Sequence, residues 1–390
     1  MMRFSLLVLA LLSVGALTLP ASGKDHFLVV AGGQNAANNQ VSLEKNVLFF
    51  RKVLEDAAVP GADLTEYFSS GNADFRTVQF AAKDYDVPAA NRYMARLFGS
   101  TYYLNLQYRK HTLGEVDGIT SPANLNQWFD DHKDSLAPGD RVILYVTAHG
   151  GKSSDKKKPE NTRIHLWNRQ TIDVRSLQAN VKKLADDVEI VMVMAQCFSG
   201  GFAHALFNET DPKAGTFDHP VCGFFATVSA RESAGCTPDI NEENYDEFTS
   251  HFWAAIRGET RMGKPVTDCD LDGNGRISFD EAYAYTILTS KNIDIPMKTS
   301  GAFLRARSRY QKGKAGEKAE AKLLAQHHSY AETLALAEPV ERAILEGLSE
   351  QFGLSGDARY AAVEKAAAEI EKKRADLLKQ YNDKKRVASG

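Results

Sequence analysis

The chain has 390 residues, 43% of them apolar and 25% charged, with 47 Lys and Arg against 50 Asp and Glu. That length allows two or three domains and a sizeable core, and the composition excludes wholesale disorder. A formal charge of −3 argues against a dedicated nucleic-acid binder, and four cysteines are too few for a disulfide-built scaffold. The charge averages unlike parts: residues 24–300 hold 29 basic and 37 acidic residues, whereas 301–390 hold 17 basic and 13 acidic.

Residues 1–23 place one positive charge, Arg3, before an apolar run that ends at Leu19-Pro20, with Ala21-Ser22-Gly23 ahead of Lys24. This is the layout of a cleaved secretory signal, with an uncleaved anchor as the alternative. The expectation is an exported protein, secreted or periplasmic, with no membrane association once the signal is removed.

Residues 27–31 form an apolar run ending in Gly32-Gly33, which reads as a buried strand and a turn. A helical pattern covers 42–54, and residues 70–112 fit no regular alternation and read as an irregular insertion. Ser121-Pro122 begins a helix carrying Trp128 and Phe129, with a capping hydroxyl and a first-turn proline. The Pro138-Gly139-Asp140 turn precedes a second strand at 142–146. A lysine-rich loop at 155–158, a short strand near 164–167 and a helix over 174–184 follow. A third strand is predicted at 188–194, a fourth at 222–228 and a helix at 245–257. Strands apolar on both faces that alternate with helices predict an α/β fold, its mostly parallel sheet covered on both sides. The tail is a separate helical region, 301–390. In it Val363, Ala367, Ile370, Leu377 and Tyr381 make a narrow apolar seam suited to packing on another helix or on the body.

In open α/β sheets functional groups collect beyond the carboxyl ends of strands. The second strand runs into Thr147-Ala148-His149-Gly150-Gly151, and the third into Ala195-Gln196-Cys197-Phe198-Ser199-Gly200-Gly201. If those strands are neighbours, His149 and Cys197 share one crevice. Cysteine is the most nucleophilic side chain near neutral pH once its thiolate forms. A helix starting just after Cys197 would favour that thiolate through its dipole, and His149 would assist. The amides of Gly150 and Cys197 are candidates for an oxyanion hole, where one donor contributes about 3 kcal/mol. The expected reaction is acyl transfer.

These two strand ends resemble the caspase-like superfamily of cysteine peptidases, which includes legumains, the catalytic subunit of the GPI transamidase, caspases, metacaspases and gingipains. The segments Val29-Val30-Ala31-Gly32 and Ala226-Thr227-Val228-Ser229-Ala230-Arg231-Glu232-Ser233 are similar to the legumain branch. The resemblance covers roughly residues 26–290 and implies a three-layer sandwich, a His149–Cys197 dyad, and Arg231 and Glu232 near the pocket for a peptide or protein substrate. Legumains and metacaspases place an acid two residues before the cysteine, where this chain has Ala195. Asn39-Gln40-Val41-Ser42 stands where legumains carry an Arg-His pair. Specificity is therefore not carried over. A catalytically silent calcium-binding scaffold and a transpeptidase of the same fold are the alternatives to a peptidase.

Residues 270–281 match a twelve-residue EF-hand loop. Asp270, Asp272 and Asn274 offer side-chain oxygens, Arg276 its carbonyl, Ser278 a direct or water-mediated ligand and Glu281 a bidentate carboxylate. Gly263-Lys264-Pro265 interrupts the entering side, so a structural Ca²⁺ site is expected. Cys222 and Cys236 bracket the loop after the fourth strand and form a candidate disulfide, with Cys269 left over. The basic 305–314 segment reads as an exposed linker. Legumains carry a helical prodomain over the active site, and by that resemblance the basic tail would pack on the acidic body.

Overall fold

The computed structural model describes residues 23–57, 63–82, 87–98, 104–307, 329–356 and 359–389. The expected leader up to residue 22 and the linker from 308 onward lie outside the described residues. In chain order the elements are β1 (Asp25–Gly32), α1 (Val41–Asp56), β2 (Asp63–Phe68), β3 (Val78–Ala81), α2 (Ala89–Phe98), β4 (Leu106–Arg109), α3 (Pro122–His132) and β5 (Arg141–Ala148). There follow β6 (Gly150–Gly151), β7 (Arg163–Leu166), β8 (Gln170–Asp173), α4 (Val174–Val181), β9 (Glu189–Met194), β10 (Val221–Phe225), α5 (Phe248–Arg257) and α6 (Phe279–Thr289). The chain closes with β11 (Met297–Lys298), α7 (Thr299–Arg307), α8 (Tyr330–Leu336), α9 (Pro339–Gln351) and α10 (Arg359–Ser389).

The main sheet has the order β11-β10-β9-β5-β1-β2, parallel throughout except for β11 at one edge. Each central strand is apolar on both faces because both faces are covered. Leu28, Val30, Leu144, Val146 and Met192 point to a layer containing α3 and α4. Phe27, Val29, Ile143, Tyr145 and Val193 point to the opposite layer, built from α1, α5 and α6. The architecture is thus a three-layer α/β sandwich followed by C-terminal helices. The strand order reverses between β1 and β5. Connections leaving these two strands run to opposite sides, which opens a crevice beyond their carboxyl ends.

Residues 70–112 are more regular than their sequence pattern suggests. Short strands β3 and β4 pair antiparallel and flank α2. β3 in turn bridges Gln40 and Asp239 through Gln79 and Ala81. The strands are too short for alternation to be recognised, and backbone pairing holds them.

The tail divides. Gly347 of α9 lies against Leu288 of α6, close enough that a Cβ at Gly347 would fall 2.6 Å from a Leu288 methyl. The Gln351 amide donates to the Leu288 carbonyl, and Lys298 pairs with Glu341 at 3.6 Å. The seam of α10 does not pack: Val363, Ile370, Leu377 and Tyr381 are 47–62% exposed.

Phe50 is fully buried, with its ring centroid 4.7 Å from Trp253, 4.9 Å from Tyr145 and 5.9 Å from Phe27, so it joins α1 to α5 and the sheet. Phe50→Ala is expected to destabilise the protein by about 3–5 kcal/mol, read from the urea midpoint, because the aromatic cluster cannot collapse into the space.

Candidate active site

Two neighbouring strands deliver the candidate dyad. The parallel register of β5 and β9 pairs Val146 with Met194. His149 follows β5 directly, and Cys197 comes three residues after the end of β9. The backbones stay in contact there: a Cβ at Gly150 would lie 1.9 Å from the Cys197 carbonyl oxygen, so this position requires glycine.

His149 is half-buried, and its Nε2 faces two acceptors, the Asn38 carbonyl at 2.8 Å and Gln40 Oε1 at 2.9 Å. With acceptors on that side, Nε2 carries the proton and Nδ1 keeps its lone pair. Burial holds the imidazole below its ordinary pKa, and the Asn38 carbonyl opposes that only in part. The neutral ring suits a general base. Asn38 and Gln40 lie in the loop between β1 and α1, at the reversal of strand order.

Cys197 is half-exposed, and its sulfur meets Ser233, whose N–H donates to Sγ at 3.4 Å. The Ser233 hydroxyl anchors to the Ala195 carbonyl at 2.8 Å. Phe198, directly after the cysteine, has φ +60°, a conformation that costs a side-chain-bearing residue energy. Its neighbours enforce it: the Phe198 N–H donates to the Arg231 carbonyl at 2.8 Å, and the Thr162 hydroxyl donates to the Phe198 carbonyl at 2.9 Å. This sharp turn holds Cys197 at the edge of the crevice.

The helix expected after Cys197 is instead a 3-10 helix, Ser199–Leu206, with Phe198 as its N-cap. Its leading amides are already used. Ser199 N–H donates to the Gln196 carbonyl and Gly200 N–H to the Thr227 carbonyl, so neither is free for the sulfur. The donor that reaches Sγ belongs to Ser233.

The two expected oxyanion donors, the Gly150 and Cys197 amides, are not taken up by the β6–β7 ladder. The His165 N–H donates to the His149 carbonyl, which makes Gly150 and Ile164 a non-hydrogen-bonded pair of the β6–β7 ladder. The Gly150 N–H consequently points away from β7. Among the described residues no acceptor takes the Cys197 N–H.

Arg231 and Glu232 are exposed on the loop that leads to Ser233, and Arg231 touches the cysteine turn through its carbonyl. Beneath this loop lies an acidic pair that sequence reasoning missed. Asp294 accepts the Ala234 N–H at 2.6 Å, and its second oxygen is buried without a partner. Glu247 is buried, and its Oε2 would sit 2.4 Å from a Cβ at Gly235. Burial pushes the Asp294 carboxyl up to about 7, with Glu247 adding to the effect. Only the folded chain brings these acids, 47 residues apart in sequence, under one loop.

The candidate disulfide does not form, and all four cysteines are free. Cys222 sits in β10, three residues before the strand's end at Phe225, roughly 10 Å of extended chain. Cys236 lies past that end on the cysteine side, whereas a disulfide requires Cα atoms within about 7 Å.

In the 270–281 loop, carboxylate oxygens of Asp270, Asp272 and Glu281 gather within 4.8 Å of one another. Asn274 N–H and Gly275 N–H donate to Asp270, and Asn274 N–H also reaches Asp272. Gly275 takes φ +80° in the turn. Glu281, 1% exposed, accepts from the Leu271, Asp272 and Ser278 amides and from the Ser278 hydroxyl. Burial would raise its pKa, but these hydrogen bonds outweigh burial and lower it. Ser278 also caps α6, so its hydroxyl is shared with that task. The Asn274 amide donates to Asp272, and Arg276 N–H donates to the Asn274 side-chain oxygen.

No family model matches the chain, and no curated protein matches it. Among solved structures it is similar to a Geobacter sulfurreducens protein, at 12% identity over 70% of this chain and 93% of that one, with a TM-score of 0.39. Caspase-1 from Spodoptera frugiperda is similar at 9% identity over 71% of this chain and 86% of that one, with a TM-score of 0.37.

Two outcomes follow from the charges. Gln40→Glu sets a carboxylate 2.9 Å from Nε2. An NMR titration of His149 should then show its pKa rise by about 1–3 units, as for an opposite charge at contact distance. The unfolded chain releases the Asp294 proton near pH 4 and the folded chain near 7, so between them stability falls as pH rises. Asp294→Asn removes that loss. Its melting temperature should gain on the parent protein from about pH 4 to above 7, with the gain vanishing below that window.

Proposed function

We propose that the chain is a cysteine endopeptidase of the caspase-like type, with Cys197 as nucleophile and His149 as base. The observation that carries this reading is the pairing of β5 with β9, parallel neighbours whose following turns carry His149 and Cys197. In the reaction, His149 Nδ1 takes the Cys197 proton, and the imidazolium is stabilised through Nε2–H by the Asn38 carbonyl and Gln40. The thiolate attacks a peptide carbonyl, and the resulting oxyanion is received by the Gly150 and Cys197 amides. His149 then passes its proton to the leaving amine. Water, deprotonated by the same nitrogen, cleaves the thioester. A peptide amine in place of water would make the enzyme a transpeptidase. The exposed Arg231 and Glu232 flank the entry of the substrate chain.

A structural calcium ion belongs to the same proposal. The donor set is all oxygen, as a hard cation requires, and Asp270, Asp272, Asn274, the Arg276 carbonyl, Ser278 and Glu281 would hold it. The ion would neutralise carboxylates that otherwise repel one another and would brace the start of α6. The leader, when present, would direct export.

Peptidyl chloromethyl ketones or acyloxymethyl ketones test the nucleophile. Rapid alkylation of Cys197 near pH 7, slowed at least about 100-fold in His149→Ala, is the expected result. Labelling of Cys197 no faster than that of Cys269 would leave a non-catalytic scaffold. For the ion, calcium at about 100 times its dissociation constant should stabilise the protein by about 2.7 kcal/mol in thermal melts. Asp270→Asn with Asp272→Asn should abolish this gain.

A further inference from the structure

We propose that Cys197 and Cys236 are a disulfide-forming pair, closed by hydroperoxide and reopened by thiols. Its effect on activity rests on Cys197 being the nucleophile, whereas the bond itself depends only on placement. The loop carrying Cys236 is fastened at both ends to the crevice. At one end the Ser233 N–H meets Cys197 Sγ at 3.4 Å, and the Ser233 hydroxyl holds the Ala195 carbonyl. At the other end the Thr237 N–H donates to the Ser42 hydroxyl at 2.9 Å and the Ser42 N–H returns to the Thr237 carbonyl at 3.3 Å. Ser42 stands two residues after Gln40, the partner of His149.

Between these fastenings the chain turns back on itself through Gly235, at φ +114°, and Cys236, at φ +53°. A left-handed conformation in a residue with a side chain is unusual, and it sharpens the turn at Cys236. Cys236 is half-buried, and burial first, then nearby Cys197, then Glu247, push its thiol pKa up. The other thiols are elsewhere. Cys222 is in β10, and Cys269 is buried beside the calcium loop with its sulfur on the Thr267 carbonyl at 3.7 Å.

The chemistry uses one hydroperoxide. The Cys197 thiolate attacks the terminal peroxide oxygen, so that an S–O bond forms and the O–O bond breaks. The departing alkoxide, or hydroxide from hydrogen peroxide itself, takes back the proton that Cys197 gave up on ionising and leaves as alcohol or water. Cys197 is then a sulfenic acid and no longer carries the charge that opposed ionisation of Cys236. The Cys236 sulfur attacks the sulfenic sulfur, the S–S bond forms, and the departing hydroxide takes the Cys236 proton as water. Two thiols lose two electrons and the hydroperoxide gains them. The bond shields Cys197 from the irreversible sulfinic state, and thiol exchange restores it.

The test exposes the full chain to a small excess of hydrogen peroxide, blocks remaining thiols with iodoacetamide and maps the peptides by mass. Expected are the loss of two hydrogens, protection of two of the four thiols and a linked Cys197–Cys236 peptide. Dithiothreitol should return all four thiols. In Cys236→Ser the same exposure should instead leave Cys197 with two added oxygens that dithiothreitol does not remove. Sulfinic Cys197 beside free Cys236 in the unsubstituted protein, or Cys197 bonded to Cys222 or Cys269, would overturn the pairing, and this readout needs no variant to fold. If the linked peptide forms while reduced Cys197 fails to react with the peptidyl ketone, the pair stands and the peptidase reading falls.

Discussion

The parallel pairing of β5 with β9 is the constraint on which the rest of the site depends. Parallel strands end on the same side of a sheet, so whatever follows them emerges side by side. With Val146 opposite Met194, the residues three further along are His149 and Cys197. A slip of one residue would turn every side chain of β9 to the other face and move its apolar residues between layers. The two-sided burial of Val191, Met192, Val193 and Met194 therefore fixes where the chain after β9 emerges as well as the packing. The contact between Gly150 and the Cys197 carbonyl continues that pairing past the sheet.

Around this frame the loops are held at backbone atoms, by main-chain and side-chain partners alike. Phe198 keeps its left-handed turn because Arg231 and Thr162 bond both sides of it. Ser233 is fixed to Ala195 while its amide meets the sulfur. The 234–235 turn rests on two buried carboxyls, one without a full set of partners. Such a site stores strain and unpaired polarity where the sheet is rigid enough to support both. The 270–281 loop lies ahead of α6, and its carboxylates are organised by the loop's own backbone amides.

Much of this was legible before folding because it is periodic or local. β1, β5 and β9 are continuous apolar runs, and Ser121-Pro122 caps α3 as its residue types require. His149 directly follows one such run and Cys197 comes three residues after another, so the ends of β5 and β9 locate both in the chain. The clustering of Asp270, Asp272 and Glu281 could be read because their spacing is contained within twelve residues. β3 and β4 could not, since four-residue strands carry no recognisable alternation. The partners of His149 were hidden for a different reason: Asn38 acts through a carbonyl that every residue has, and Gln40 through a loop path. Cys236 looked like a partner for Cys222 because both flank one loop, yet the strand between them carries Cys222 away. The α10 seam shows the limit of periodicity, which identifies an apolar stripe without saying that anything covers it.

The central claim is that one crevice holds a nucleophile, its base and an oxyanion site. A crystal structure of the protein treated with a peptide aldehyde tests it most directly. The account expects a hemithioacetal on Cys197 Sγ, with its oxygen within about 3 Å of the Gly150 and Cys197 amides and His149 Nδ1 facing the adduct. An unmodified Cys197, or an adduct whose oxygen meets neither amide, would contradict it.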